Sequence, residues 1–169
     1  VVTSNVDGQF QKAGFGEDAV AEIHGSIHHL QCTTPCHGEI WPNEESFRID
    51  HSTMRADHVP ECPGCGRAAR PNVLMFGDWA WLPQRTSAQD GRFGDFCRRQ
   101  EGKRVVVVEM GAGTGLPTIR HMSESLGRRF KGTVVRINPR EAHISGGHVS
   151  LSCGALEGLS GIAAELSEP

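Results

Sequence analysis

The chain has 169 residues, 37% of them hydrophobic and 22% charged. That is the composition of a folded globular protein and not of a disordered or fibrous one, and it leaves room for one ordinary domain, or one core carrying a small insert. A formal charge of -3 offers no broad attraction to nucleic acid or anionic lipid, so direct nucleic-acid binding is not expected.

In chain order, Val1 to Thr3 reads as the end of a buried strand and Asn5 to Gly8 as a loop. Gln9 to Ala13 reads as a short helical stretch ended by Gly14, and Val20 to Ile23 as a second strand. From Cys32 to about Ala69 the character changes: no sustained period, many polar residues, prolines at 35, 42, 60 and 63, and a cysteine pair at each end. With no visible core, this stretch is expected to be an inserted module that depends on a metal for its fold.

Regular structure returns with Asn72 to Phe76 as an apolar segment and Val105 to Glu109 as a β-branched run suited to a central parallel strand. Ile119, Met122, Leu126 and Phe130 predict a helix over 118–130, with Gly132 as its C-cap. Val134 to Ile137 is a further strand and Leu156 to Leu166 a further helix. Strand, glycine loop, helix and strand make a βαβ unit, half of a dinucleotide-binding sheet. The expected architecture is therefore α/β: a Rossmann-like parallel sheet formed by 1–31 and 70–169, with a small zinc-binding module, 32–69, inserted in it.

No apolar run is long enough to span a bilayer, and the first residues lack the pattern of a secretory signal. A soluble, cytoplasmic protein without membrane partners is expected, in which six cysteines point to metal rather than to disulfides.

Cys32-Thr-Thr-Pro-Cys36 and Cys62-Pro-Gly-Cys65 are two tight turns, each able to aim two thiolates at one tetrahedral ion. The reading is Zn²⁺ bound by Cys32, Cys36, Cys62 and Cys65; free or disulfide-linked cysteines are the alternative. Four protein ligands leave no place for a substrate, so the metal is structural. His37, His51 and His58 are read as surface histidines, and Cys97 and Cys153 as small apolar residues.

Gly111-Ala112-Gly113-Thr-Gly115 stands where a strand hands over to a helix, and glycine there lets the backbone approach a phosphate or ribose. Alone it also fits the first motif of S-adenosylmethionine-dependent methyltransferases, or a plain tight turn. Asn5 to Gly8 and Glu22-Ile-His24-Gly-Ser each put polar side chains just after a strand, where a sheet gathers ligands. A histidine there can take a proton near neutral pH.

Taken together, Ser4-Asn-Val-Asp-Gly, Gln11-Lys-Ala-Gly, Glu22-Ile-His-Gly-Ser, the two cysteine pairs, Arg70-Pro-Asn-Val-Leu-Met-Phe-Gly-Asp78, the glycine turn and Ile137-Asn138 resemble the sirtuin family in order and spacing. The resemblance implies an NAD-dependent deacylase acting on acyl-lysine in a protein or peptide. His24 would be its general base, with Asn5 and Asp7 holding NAD and catalytic water. It implies cofactor contacts at Gly111, Ala112, Gly113, Asn138, Gly154 and Ala155. It also implies a peptide-pairing segment from Val73 to Gly77, in which Val73, Leu74, Phe76 and Gly77 meet the substrate backbone.

The chain departs from the family pattern at Ser4, where glutamine is usual, and at Ala112-Gly113, where threonine-serine is usual. The family's opening strand and glycine-alanine-glycine loop have no counterpart ahead of Val1, so a fragment of a longer enzyme is expected. An inactive module that binds NAD or ADP-ribose is the non-enzymatic alternative.

Overall fold

The computed structural model describes residues 1–167, which divide into two compact units, Val1–Phe96 and a second from Cys97 onward. Among the described residues no helix is long and apolar enough to cross a membrane.

In the first unit, β1 (Val2–Thr3) and β2 (Ala21–Glu22) run parallel, Val2 opposite Ala21 and Thr3 opposite Glu22. The connection carries α1 (Gln9–Lys12), entered through Gly8 at φ 67°. An eight-residue strand follows, β3 (Gly25–Cys32), and pairs antiparallel with β4 (Trp41–Pro42) and β7 (Ala69–Val73), lying between them. The hydrophobic pattern does not disclose β3, because its buried positions include Ser26 and Gln31 and its register shifts between Ser26 and Leu30.

Gly25 makes the β3–β7 junction possible: it sits at φ 81°, and a Cβ there would lie 2.0 Å from the Asn72 carbonyl oxygen. Within 32–69 the described residues add an exposed two-residue pair, β5 (Ile49–Asp50) and β6 (Arg55–Ala56), and a single antiparallel bridge between Glu61 and Ala68. Among the described residues of that stretch the buried apolar ones are Cys32, Cys62 and Ala69, 0%, 1% and 5% exposed, too few to make a core.

The apolar segment expected over 72–76 is divided in two. The strand is Ala69–Val73, and Leu74, Met75 and Phe76 leave the sheet to stand 38%, 59% and 89% exposed.

Helix α2 (Gln84–Arg99) is not legible in the sequence, since Gly91, Gly94 and eight charged or amide side chains dilute any apolar stripe. Polar anchoring fastens its first turns: Arg85 pairs with buried Glu22 at 2.5 Å, and Gln89 accepts a hydrogen bond from the Glu22 N–H at 3.0 Å.

The second unit is a three-stranded parallel sheet ordered β10 (Val149–Leu151), β9 (Thr133–Ile137), β8 (Val106–Met110). With it go α3 (Thr118–Phe130) and α4 (Ala155–Ser167). Two expectations are corrected here. The valine run is an edge strand among the described residues, with Val106 and Val108 63% and 42% exposed. The central strand is β9, whose Val134 and Ile137 are 0% and 1% exposed; β-branched composition reports fitness for a pleated surface and not position within the sheet.

The C-cap of α3 is Lys131, which takes the left-handed conformation at φ 49°. Gly132 serves a different need, because a Cβ there would meet the Val105 carbonyl oxygen at 2.3 Å.

Buried charge also organises this sheet. Arg136, its side chain 3% exposed, pairs with Glu109 at 2.5 Å and with Glu124 at 2.9 Å. Ser123 donates its hydroxyl proton to the same Glu109 carboxylate.

Candidate functional site

The four cysteines converge. Their sulfurs all lie within 4.8 Å of one another, with Cys32 to Cys65 at 3.8 Å and Cys36 to Cys62 at 3.6 Å. A tetrahedron with metal–sulfur bonds of about 2.3 Å has edges of ~3.8 Å, so this donor set fits a tetrahedral thiophilic ion. The second turn is a tight knuckle in which the Cys65 and Gly66 N–H groups both donate to the Cys62 carbonyl, at 3.3 and 2.8 Å, while Cys62 N–H donates to Arg67 O at 2.7 Å.

The thiols compete for protons. The neighbouring Cys65 sulfur holds the Cys36 thiol up at about 12, whereas the Arg67 side chain draws Cys65 down to about 6. A cation that displaces all the thiol protons resolves this conflict.

The histidines of this stretch differ. His37 is half-buried against the cluster, its Nε2 3.2 Å from Cys62 Sγ, so its reading as a surface histidine is corrected. His58 lies on the surface, bridging Glu45 at 2.9 Å and Asp57 at 2.8 Å, and these hydrogen bonds, Glu45 first, raise its pKa. His51 is exposed.

Because β1 and β2 are parallel neighbours, the chain leaves both at the same edge, the loop with Asn5 and Asp7 from one and the turn with His24 from the other. Ile23 N–H donates to Thr3 O at 3.0 Å, Asn5 N–H to Thr3 Oγ1 at 3.1 Å, and Ile27 N–H to Val6 O at 2.9 Å. His28 Nε2 lies 3.0 Å from the Asp7 carbonyl. Gly8 leaves room for that ring, since a Cβ on it would be 2.7 Å from His28 Cδ2. Asn5 is exposed, while Asp7 and His24 are half-buried.

The Val73–Gly77 segment joins the same edge through Leu74, whose N–H donates to His24 O at 3.0 Å. Its far side is pinned by the two ends of the Arg70–Asp78 motif and by Gln31, which the motif reading did not single out. Arg70 makes a two-pronged bond to Asp78 at 2.9 and 2.7 Å and a third to Val73 O at 3.3 Å. Burial alone would raise Asp78, but the Arg70 hydrogen bond and charge bring its carboxyl below the ordinary value. Asn72 Nδ2 donates to Gln31 Oε1 at 2.8 Å and to Leu82 O at 2.9 Å, and Gln31 Nε2 donates to Ala80 O at 2.8 Å. Residues 74–77 are thus an exposed loop on a braced frame, beside β7, which stands at the edge of its sheet.

In the second unit the glycine turn and Asn138 meet. Gly111, at φ 67°, donates its N–H to Ile137 O at 3.0 Å. Asn138 Nδ2 donates to Ala112 O at 3.1 Å, and its Oδ1 accepts the Arg140 and Glu141 N–H groups at 3.0 and 2.9 Å. Gly113 precedes Thr114, whose hydroxyl and N–H both bind the Glu141 carboxylate, at 2.5 and 3.1 Å. The Thr114 hydroxyl, first among the causes, holds that carboxyl below its usual range. Arg120 braces the turn by donating to Ala112 O at 2.9 Å. Gly154 and Ala155 are exposed where α4 begins.

Residues 1–90 match the family model described as the Sir2 family. The chain is 37% identical over 78 residues to an NAD-dependent protein deacylase of Pyrococcus furiosus, covering 46% of this chain and 29% of that protein. It is 29% identical over 164 residues to an NAD-dependent protein deacylase of Thermus thermophilus, covering 95% and 54%. A solved Sir2 homologue, a point mutant in complex with ADP-ribose, superposes with a TM-score of 0.63 at 25% identity, over 99% of this chain and 61% of that one. A structure described as the structural basis of sirtuin substrate affinity gives a TM-score of 0.67 at 20% identity, over 98% and 61%, a likeness of fold. Even where nearly all of it aligns, the chain spans about half the length of these curated relatives, 54% in the Thermus protein.

Proposed function

This chain belongs to the Sir2 family, and from that premise we propose that it forms part of an NAD-dependent enzyme that removes acyl groups, acetyl among them, from protein lysines. In that reaction NAD, acyl-lysine and water give nicotinamide, free lysine and O-acyl-ADP-ribose; NAD supplies a ribose carbon with nicotinamide as its leaving group. The observation that carries the reading is the shared edge where β1 and β2 end: the Asn5–Asp7 loop is bonded to β3 through Val6 and Ile27, the His24 turn to β1 through Ile23 and Thr3, and Leu74 to the His24 carbonyl.

His24, on a turn fixed by Ile23 N–H and by its own carbonyl, is the general base that takes a proton from a ribose hydroxyl. Asn5 and Asp7 orient the nicotinamide end of NAD and the attacking water. The glycine turn, Asn138 and the first residues of α4 receive the adenosine side, the exposed N-terminus of that helix favouring negative charge. Val73, Leu74, Phe76 and Gly77 receive the peptide as an added strand, an arrangement that an edge position favours. Main-chain bonding of this kind makes sequence selectivity modest.

Cys32, Cys36, Cys62 and Cys65 hold one structural Zn²⁺. A cytoplasmic location belongs to the same proposal, because that ligand set needs reduced thiols.

The test is nicotinamide release from NAD in the presence of an acetyl-lysine peptide, using the chain extended to the full length of its relatives. Turnover that His24→Ala lowers by about a hundredfold or more, the lower end of what a general base supplies, supports the reading. Turnover indifferent to His24 defeats it.

A further inference from the structure

Among the described residues two side-chain nitrogens bond the four-cysteine cluster, His37 Nε2 and Arg67 Nε, and the first is held in a single tautomer. The backbone N–H of Glu39 donates to His37 Nδ1 at 3.1 Å. Because a backbone N–H can only donate, Nδ1 is the acceptor and the ring proton resides on Nε2. That Nε2 lies 3.2 Å from Cys62 Sγ. On the opposite pair of sulfurs, Arg67 Nε donates to Cys65 Sγ at 3.5 Å.

The fit of His37 also depends on a residue in the other cysteine turn. A Cβ on Gly64 would lie 2.6 Å from His37 Cδ2 and 2.8 Å from Nε2, so glycine between Pro63 and Cys65 is what lets the ring reach the sulfur. Gly64 has no positive φ, and its role here is one of space and not of backbone freedom.

We propose that His37 is a positioning residue of the metal centre. Its Nε2–H donates to the Cys62 thiolate, with Arg67 in the same role at Cys65, and makes the thiolates slower to surrender the ion. The inference rests on the four-sulfur zinc reading. Four thiolates around one Zn²⁺ leave a net charge of about −2, concentrated on sulfur. An N–H donor draws density from a thiolate, which weakens its basicity toward an incoming proton and its nucleophilicity toward an oxidant. Partners outside the ligand set typically change metal affinity by about 10- to 100-fold.

The experiment follows zinc transfer from the purified, zinc-loaded protein to a chromogenic chelator in excess, with metal content counted beforehand. The wild type is compared with His37→Ala, His37→Gln and Gly64→Ala. His37→Ala and Gly64→Ala are expected to lose zinc about tenfold faster, Gly64→Ala doing so with His37 still present. His37→Gln, whose amide N–H can stand where Nε2 does, is expected to restore much of the wild-type rate. Should His37→Ala fail to load zinc, the other two variants carry the comparison.

Wild-type rates in both Gly64→Ala and His37→Ala overturn the inference. So does a cobalt-substituted wild type whose spectrum shows three sulfurs and an imidazole and loses the imidazole signature in His37→Ala, since His37 would then be a ligand. A wild type with no bound zinc overturns the four-sulfur reading beneath it, a result separable from the others by the metal count alone.

Discussion

Arg70 and Asp78 show how much a single pair can decide. Their side chains are 23% and 10% exposed, and together they close the loop that carries Leu74, Met75 and Phe76. Arg70→Ala would strand a mostly buried carboxylate and cost about 3 kcal/mol, read as a lower urea midpoint for the first unit. With Asp78 held below its ordinary pKa, the pair's contribution is present above the unfolded value near 3.9 and is lost as pH falls through the depressed folded one. His58 behaves in the opposite sense. Glu45 and Asp57 raise its pKa, so what it adds to holding 45–58 together is full below about 6.5 and fades as pH rises through the raised value. An NMR titration should find His58 above that figure, and Glu45→Gln should bring it down. Residue types were legible in the sequence where spacing fixes chemistry, as in the cysteine turns. They were not where a side chain has a second employer: Asn138 ties the glycine turn to the Arg140–Glu141 bend, a bond between loops 26 residues apart that no spacing announces.

Among elements, α3 could be read to its ends because its apolar residues recur at helical spacing, and β9 because a β-branched run is bounded by Gly132 and Asn138. Helix α2 and strand β3 escaped for the same physical cause: each is fastened by buried polar contacts, Glu22 with Arg85 and Gln89 in one case and Gln31 with Asn72 in the other. Hydrophobic periodicity is blind to such contacts. The element junctions are most exposed to mutation at their glycines. Gly25→Ala combines a left-handed φ with a 2.0 Å approach to Asn72 O and is expected to cost about 3 kcal/mol. Gly132→Ala, at 2.3 Å from Val105 O and without the φ penalty, should cost about 2 kcal/mol by forcing β8 from α3's exit. Thermal denaturation of the two variants should rank them in that order.

At the scale of the whole molecule, the first unit carries a segment with almost no apolar core around the four sulfurs, while the second rests on β9 and its ion pairs. Chelation is therefore expected to act on one unit and spare the other. Excess chelator under reducing conditions should lower the unfolding temperature of the Cys32–Ala69 signals while the circular dichroism of α3 and α4 persists, and re-adding zinc should reverse it. The α/β class and the convergence of the four cysteines were legible because each signal is local: cysteine turns, a glycine turn, one clear helix. The edge position of β8 was not, because a strand's neighbours are a property of topology and not of its own composition.

Trp79 is 99% exposed, next to the Asp78 clamp and within three residues of Phe76. An indole in bulk water emits at long wavelength, so the free protein carries a red-shifted fluorophore at the rim of the exposed 74–77 loop. A strand laid along 73–77 would shield that ring and move its emission toward the blue. The fold thus comes with an optical reporter already installed: titrating an unlabelled peptide into the wild type and into Trp79→Phe, which keeps only Trp41 and Trp81, and taking the difference in emission would yield a dissociation constant without any dye.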